Sequence, residues 1–568
     1  MMGPVVMGLC SGTHDSAAAL IADGRLIGLV EEERLNGIKH TKAYPELAIA
    51  WLLDAAGLTA SDVTDVAYNF APRGYLKGAA PLRHLRPGTA GRAWPRARSF
   101  AVVHHRAAGR LRDFGRRFPG ARLHGVEHHR AHALYAFAAC PFDEAAVLVV
   151  DSLGETTTTS ICTGARGHQG VVLGGRWSLP DPASLGYAYG AVTEHLGWRR
   201  GDEEGTVMAL AALGDPGRFR DLLTQAIPLT GEAFALDARL FPLRVISSRY
   251  PRLSSAFIAA TCPPRPPQAE IDQVHADLAA ALQERTEQVM IHLARQARYR
   301  TSQKHLCLGG GVAMNCVSIG KITEHAGFDE VFVPPAPGDS GTAAGAALHA
   351  HQYRAPHPVA GVQGECYLGP SYDGLDLTGQ PRPGMTAHRP ADPARHLAHQ
   401  LAEGEIVGVF RGRLEAGPRA LGNRSILASP LRPDVVHRLN AKVKFREPFR
   451  PFAPVALADK AADYFTLGQP APYMSIASGV TDLAREQIPA IVHTNGLARV
   501  QTLTPRQNPF LDAVLREFHE ITGVPVLINT SLNVKGKPIC GTPAHALDCL
   551  AESGIDALLL EDWWVTEQ

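Results

Sequence analysis

Several groups of residues in this sequence have types and spacings that could do chemistry. In His128-His129-Arg130-Ala131-His132, the first and last imidazoles stand four residues apart, so on a helix both project from one face. That pair, completed by carboxylates from elsewhere, suits a divalent metal with nitrogen and oxygen ligands. Asp151 and Asp339, each at the end of an apolar strand beside a glycine-bearing turn, are the oxygen donors at hand. No Glu stands between the histidines, which sets the motif apart from HExxH. With 25 histidines in the chain, such a pair also arises by chance and could be a satisfied core pair. His14-Asp15 lies in the turn after a first apolar run. An imidazole beside a carboxylate there could take a proton from a hydroxyl, or could be an ordinary turn histidine.

Glycine-bearing turns form the next group. Ser11-Gly12-Thr13, Asp151 to Glu155, Gly309-Gly310-Gly311 and Gly338-Asp339-Ser340-Gly341 each follow a short apolar strand. Glycine lets a backbone approach an anion closely, and helix N-termini offer free N–H groups to phosphate oxygens. Two hairpins with phosphate turns plus a glycine-rich adenosine turn are the layout of the actin-like ATPase fold. The P-loop pattern GxxxxGK[ST] is absent. The last group lies in the C-terminal half: Glu415 to Ser425 with Arg419, Lys442 to Phe452 with Lys444 and Arg450, then Arg499, then Asn529 to Asn533. Guanidinium forks and an ammonium among Gly, Pro and Phe describe a walled pocket for a small phosphate rather than a solvated face.

The elements that must position these residues follow from periodicity. Val5 to Leu9 and Ala17 to Ile21 predict a hairpin, and Asp23-Gly24 turns into a third strand, Leu26 to Val30. Tyr44 to Ala56 has helical spacing, and Ile271 to Arg298 predicts a long amphipathic helix. Short strands are expected at Ala146 to Val150, Leu306 to Leu308 and Val331 to Val333, with helices opening near Met314 and after Gly338. The Pro- and Gly-rich stretch 356–384 reads as a linker between domain 1–355 and domain 385–568. From Arg73 to Arg122 there are many arginines and a single acid, Asp113; the stretch is either a solvated excursion or a positive lid for an anionic partner.

At 568 residues the chain is long enough for more than one domain, and 45% hydrophobic content fits globular cores. Its 56 basic and 55 acidic residues leave +1, which argues against coating nucleic acid or a membrane. Nine cysteines with no CxxC argue against a disulfide framework and thiolate zinc. With no export signal evident at MMGPVVMGLC, the expected location is the cytoplasm.

Taken in order, HDSAAAL with EEER, HHRAH, VDSLGE, LGGGVAMN, PPAPGDSG, EAGPRALGNRS, KFREPFRPFAP and LINTSLN resemble the O-carbamoyltransferase family that modifies antibiotics and nodulation factors. The resemblance runs end to end. It implies an α/β protein: an actin-like N-terminal domain of the threonylcarbamoyl-tRNA-transferase type, joined to a C-terminal carbamoyladenylate-forming (YrdC-like) α/β domain. It implies that carbamoyl phosphate is bound by Arg419, Lys444, Arg450, Arg499 and Asn529, and that ATP converts the resulting carbamate to carbamoyladenylate. It further implies metal ligands His128, His132, Asp151 and Asp339, for iron, manganese or zinc, with magnesium accompanying ATP. Gly12, Asp202, Gly309, Gly310, Gly311, Asn315 and Gly338 would hold the nucleotide. His14, aided by Asp15, would deprotonate a hydroxyl of a small natural-product acceptor. The pattern departs in one place: Thr206 stands where relatives carry a Lys, and Arg199-Arg200 are the nearby cations that could compensate. A hydrogenase-maturation carbamoyltransferase would carry CxxC pairs, which are missing. A nucleotide-binding regulator without transfer chemistry would leave the C-terminal Arg/Lys group unexplained.

Overall fold

The protein is described here from a computed structural model, which covers residues 3–85 and 88–567; Arg86 and Pro87 of the arginine-rich stretch lie outside the described residues. The chain divides into two compact units. One comprises the stretch ending at Leu29 together with Lys42–Glu365, and the other comprises Val30–Thr41 together with the chain from Cys366 onward. The division falls inside the stretch 356–384, and it differs from a simple N-terminal span in one respect. Val30–Thr41, which carries the EEER residues, packs with the second unit. Contacts distant in sequence decide that membership, and no local pattern encodes them.

Among the described residues, the first unit is built on two five-stranded sheets. The first holds β1 (Val6–Cys10), β2 (Ala17–Ala22), β3 (Arg25–Glu31), β4 (Asp65–Tyr68) and β5 (Arg122–Gly125), in the order β3-β2-β1-β4-β5. The second holds β6 (Glu144–Gly154), β7 (Thr157–Gly167), β8 (Gly170–Pro180), β9 (His305–Gly309) and β10 (Glu330–Phe332), in the order β10-β9-β6-β7-β8. Read outward from the central strand, the two orders are the same. In each, an antiparallel meander of three strands is extended by two parallel strands reached through helical crossovers. A duplicated sheet of this order, with a hairpin opening each half, is the actin-like fold, as expected. β1 and β6 are buried along nearly their whole length because helices cover their faces, which is why they read as unbroken apolar runs.

Helices then fix the chemical groups. His128–Ala139 is a fully apolar-coated helix whose buried face carries both site histidines. Gln273–Thr301 matches the expected amphipathic helix and starts on an Asp272 capping box. Gly341–Arg354 follows the Gly338 turn and is buried over most of its length. The arginine-rich stretch forms two 3₁₀ segments and the 28-residue helix Ala90–Arg117.

The second unit carries a nine-stranded mixed sheet. It comprises β11 (Met385–His388), β12 (Val407–Phe410), β13 (Arg424–Ala428), β14 (Ala453–Leu457), β15 (Ile476–Gly479), β16 (Leu497–Leu503), β17 (Val526–Ser531), β18 (Ala557–Leu560) and β19 (Trp563–Glu567). The order is β11-β19-β18-β12-β13-β17-β14-β16-β15. A large apolar core runs through this unit, led by Phe410, Phe465, Phe518, Leu427 and Ile528, with a small separate cluster of Leu414, Ala420 and Ile539. No described helix is long and apolar enough to cross a membrane.

Candidate active site

In the first unit, the helix that starts at His128 brings two imidazoles against two strand-end carboxylates. The His128 Nε2 lies 3.1 Å from His132 Nε2, 3.3 Å from Asp339 Oδ1 and 3.5 Å from Asp151 Oδ2. His132 Nε2 is 3.7 Å from the same Asp339 oxygen. One ligand atom from each of the four residues falls within 4.8 Å of the others, and all four residues are buried. The His128 Nδ1 faces the Asn69 carbonyl at 3.3 Å, an acceptor, so Nδ1 carries the hydrogen and Nε2 offers its lone pair inward. Phe70 stacks on the His128 ring at 4.5 Å and fixes its plane. Two nitrogens with two carboxylate oxygens are a donor set that fits a divalent metal, which would take the place of the proton that the carboxylates otherwise hold on His128. Burial opposes charge on His128, but Asp339 and Asp151 outweigh it and raise the imidazole well above its usual value. His128 in turn outweighs burial at Asp151 and Asp339 and holds both below the carboxylate range.

The cluster is tied to two of the glycine-bearing turns. Thr13 in the first hairpin donates to Asp339 Oδ2 at 3.3 Å. The Gly311 N–H, in the glycine-rich turn, donates to Asp151 Oδ1 at 3.1 Å. Gly310 at φ +89 lies so close to β6 that a Cβ there would fall 2.3 Å from the Val150 carbonyl oxygen, so only glycine fits. Gly338 sits beside Met314, which brings the Gly309–Gly311 and Gly338–Gly341 turns together. Asn315, expected at the nucleotide, follows the glycine-rich turn. Its Oδ1 caps the helix Cys316–His325 by accepting from Ser318 N, and its amide pairs with Gln283 in both directions. At the tip of the first hairpin, His14 Nδ1 is 2.8 Å from Asp15 Oδ2, and Asp15 adopts φ +62. Gly201 packs against the His14 ring, so the loop carrying Asp202 reaches this tip. Asp202 pairs with Arg199 at 3.0 Å, so Arg199 is not a spare cation. Thr206 is buried in the helix Glu204–Leu210.

One residue here escaped the sequence reading. Glu155, at the β6–β7 turn with φ +47, accepts from Ala71 N at 2.8 Å and from His128 N at 3.3 Å. It thereby caps the histidine helix from another element, satisfying an N–H that the helix leaves open. Burial pushes its carboxyl up to about 7, with His128 and the two backbone donors opposing. It was legible as part of VDSLGE but not as a cap, because its partner is distant in sequence.

In the second unit the loop Glu415–Arg424 is organised around one buried carboxylate. Glu415 Oε1 accepts from Leu421 N, Asn423 N and Arg424 N at 2.8, 2.8 and 3.1 Å. Arg419 is displayed on that loop. Asn529 Nδ2 donates to the Ala420 carbonyl at 3.4 Å and to Gln501 at 2.8 Å, and Gln501 lies two residues beyond Arg499 on β16. Asn529 Oδ1 is buried and accepts nothing. Lys444 ends a π-turn, Leu439–Lys444, and Phe445 follows at φ +46. Such irregular backbone is typical of functional sites. The Lys444 ammonium donates to Ser531 and Asn533, and burial, then the nearby Arg446 charge, brings it down to about 7. Arg446 was also missed by the sequence reading. Burial, then the positive charges of Arg450 and Arg499, depresses it well below its usual value. Several positive side chains gathered within reach of one another give a positive field suited to an anion, with Glu447 opposing it at Arg446. Arg424, within the same motif, is fully buried over the Phe410 ring, donates to four backbone carbonyls and belongs to the core.

With the geometry in place, the relatives can be stated. Residues 6–348 match the family described as Carbamoyltransferase N-terminus, and residues 398–567 match Carbamoyltransferase C-terminus. The chain belongs to the carbamoyltransferase family, and it is an enzyme of carbamoyl transfer. It is 34% identical to the nodulation protein NolNO of Sinorhizobium fredii, over 98% of this chain and 79% of that one. It is 35% identical to the uncharacterized protein sll1178 of Synechocystis sp., over 98% and 96%. Among solved structures, HypF of T. kodakarensis aligns with TM-score 0.28 and 15% identity, over 62% of this chain and 48% of that one. At such a score the fold assignment rests on strand order alone.

Proposed function

We propose that this enzyme makes carbamoyladenylate from carbamoyl phosphate and ATP, and transfers the carbamoyl group to a hydroxyl of a small natural product. The observation that carries the reading is the wiring of the His128, His132, Asp151 and Asp339 cluster to both phosphate turns, through Thr13 and Gly311. A cation-binding centre and a nucleotide phosphate site thus coincide. A divalent metal held by these four residues would neutralise phosphate charge and favour adenylate as the leaving group.

In the second unit, Arg419, Arg450 and Arg499 are the guanidiniums that grip the phosphate of carbamoyl phosphate, with Arg446 and Lys444 adding positive field. The orphaned Asn529 Oδ1 is an acceptor suited to the carbamoyl NH₂. Water adds to carbamoyl phosphate and inorganic phosphate leaves, giving carbamate; a carbamate oxygen attacks the ATP α-phosphorus, a C–O–P link forms, the α–β phosphoanhydride bond breaks and pyrophosphate departs. The adenylate then serves the N-terminal site, where Gly12, Gly309 to Gly311, Gly338 and Asp202 surround the nucleotide. Asp15 holds His14 Nδ1, which makes Nε2 the basic nitrogen for the acceptor O–H. The alkoxide oxygen bonds to the carbamoyl carbon, and AMP leaves. Acceptors of this kind need neither a nucleic acid nor a membrane, and the reaction fits the cytoplasm.

The test is pyrophosphate release from purified protein given carbamoyl phosphate and ATP, followed by a panel of hydroxylated sugars and macrolides. Pyrophosphate that requires carbamoyl phosphate and falls in Arg419→Ala supports the reading. No pyrophosphate, or no effect of Arg419→Ala, overturns it.

A further inference from the structure

The helix Ala90–Arg117 has a buried stripe at Ala93, Arg96, Phe100, Ala107 and Phe114. Arg98, Arg106, Arg112 and Arg116 lie exposed on its other faces. Arg92 is half-buried and donates to the Leu243 and Pro251 carbonyls; Arg96 and Arg110 also turn inward, and they differ. Arg96 is buried, pairs with Asp181 at 2.5 Å and lies over the Phe100 ring at 4.4 Å. Arg110, one turn before Phe114, has no carboxylate within ion-pair distance among the described residues. Its guanidinium is lodged against the turn of the first hairpin. A methyl group on Gly12, which adopts φ +85, would fall 1.8 Å from the Arg110 Cζ and 2.1 Å from its Nε and Nη1. Tyr68, whose hydroxyl donates to the Ser11 carbonyl at 3.1 Å, also meets the Arg110 charge. The Phe114 ring packs at 5.4 Å on Tyr68 and 5.8 Å on Tyr44, so the helix cannot roll away from this position. The next residue after Gly12, Thr13, donates to Asp339 of the metal-like cluster.

We propose that Arg110 is a phosphate ligand of the N-terminal site, gripping the phosphoryl group of a bound adenosine 5′-phosphate moiety. A half-buried guanidinium without a carboxylate needs an anion, and a glycine turn lets that anion sit against the backbone. A planar fork fixed by packing on one side binds a phosphoryl group bidentately with little loss of side-chain freedom. The arginine-rich excursion is thereby divided: most of it is solvated surface, and one side chain belongs to the site. The proposal rests on the reading that the first unit binds nucleotide.

The experiment is calorimetric binding of AMP, adenosine and inorganic phosphate to the full-length protein, the Arg110→Ala and Arg110→Lys variants, and Arg106→Ala, an exposed site on the same helix. In Arg110→Ala, AMP should weaken on the order of 10- to 100-fold while adenosine stays within about twofold. Arg110→Lys should recover part of the loss, and Arg106→Ala should match the wild type. Unchanged adenosine binding also reports that the variant is folded. If AMP and adenosine weaken together, or AMP binds Arg110→Ala as well as or better than wild type, Arg110 is not a phosphate ligand. Weakening of inorganic phosphate alone would assign the guanidinium to a free anion and overturn the nucleotide assignment. If the wild type binds neither AMP nor adenosine, the nucleotide reading falls and this proposal falls with it.

Discussion

The two sites of this enzyme have opposite electrostatic character. In the first unit, two imidazole nitrogens and two carboxylates converge within 4.8 Å of one another. In the second, Lys444 and Arg446 lie in the positive field of Arg450 and Arg499. Each is unfavourable by itself and becomes favourable when its partner arrives, which is how a site pre-organised for a charged ligand differs from a structural ion pair. On the proposed function, the contrast separates the half-reactions: the positive pocket would handle carbamoyl phosphate, and the His/Asp cluster would handle the adenylate and its acceptor.

The largest effect should come from breaking the first site alone. Asp339→Ala removes the oxygen shared by His128 and His132, and transfer to acceptor should fall on the order of 10²- to 10³-fold. Pyrophosphate formation should persist, because the second unit is untouched. Prolonged chelation, followed by removal of the chelator and return of magnesium alone, should give the same split, read as carbamoylated product against pyrophosphate. If both half-reactions fall together, the division of labour is wrong. The converse variant, Arg499→Ala, should lower kcat/KM for carbamoyl phosphate on the order of 10- to 100-fold and carry product down with it. Inorganic phosphate should raise the melting temperature of the wild type more than that of Arg499→Ala.

Much of this contrast was legible in the sequence. Strands buried on both faces announce themselves as apolar runs, and turn glycines mark where they end, so β1, β2, β6 and β9 could be read directly. The i, i+4 histidines were visible because both lie on one helix. What could not be read depends on partners far away in the chain. Glu155 caps a helix it does not belong to. Arg446 and Arg110 look like the exposed arginines beside them until packing turns them inward. Val30–Thr41 joins the second unit through contacts with residues near 417 and 541. Asn315 also carries a local signal, since an Asn before a helix is a capping residue, and it caps the helix Cys316–His325 here.

Acidity sharpens the comparison further. Lys444 titrates near 7, chiefly because burial disfavours its charge, with Arg446 adding to the effect. As pH rises through 7 the pocket loses a positive charge, so kcat/KM for carbamoyl phosphate should fall, while kcat at saturation moves less because the bound dianion favours the ammonium. Stability should move the other way. An unfolded lysine keeps its proton to about 10.4, so between about 7 and 10 the unfolded chain binds more protons than the folded one, and stability rises with pH. Affinity falling while unfolding resistance grows is a signature that Lys444→Met should abolish in both measurements. A profile unchanged in Lys444→Met would remove this lysine from the pocket.

The smallest effect tests how the phosphate loop is held. Within the second unit, Gly417 is gripped through both backbone groups: its N–H donates to Glu31 Oε1 at 2.7 Å, and its carbonyl accepts from Arg34 Nη2 at 2.8 Å. Glu31 and Arg34 are buried, and Arg34 also pairs with Glu33 at 3.2 Å. Gly417 lies two residues before Arg419, so this grip sets where that guanidinium points. Glu31→Ala leaves a buried N–H without an acceptor and should lower stability by about 1–3 kcal/mol, with a raised KM for carbamoyl phosphate and little change in kcat. Glu31→Gln keeps an acceptor and should lose less. Burial, against the pull of Arg34 and the Gly417 N–H, holds the Glu31 carboxyl above the usual range, so the gap between Glu and Gln should narrow toward acid pH as the wild-type group protonates. A Glu31→Ala variant with unchanged KM would mean that Glu415, through its three backbone hydrogen bonds, positions Arg419 unaided.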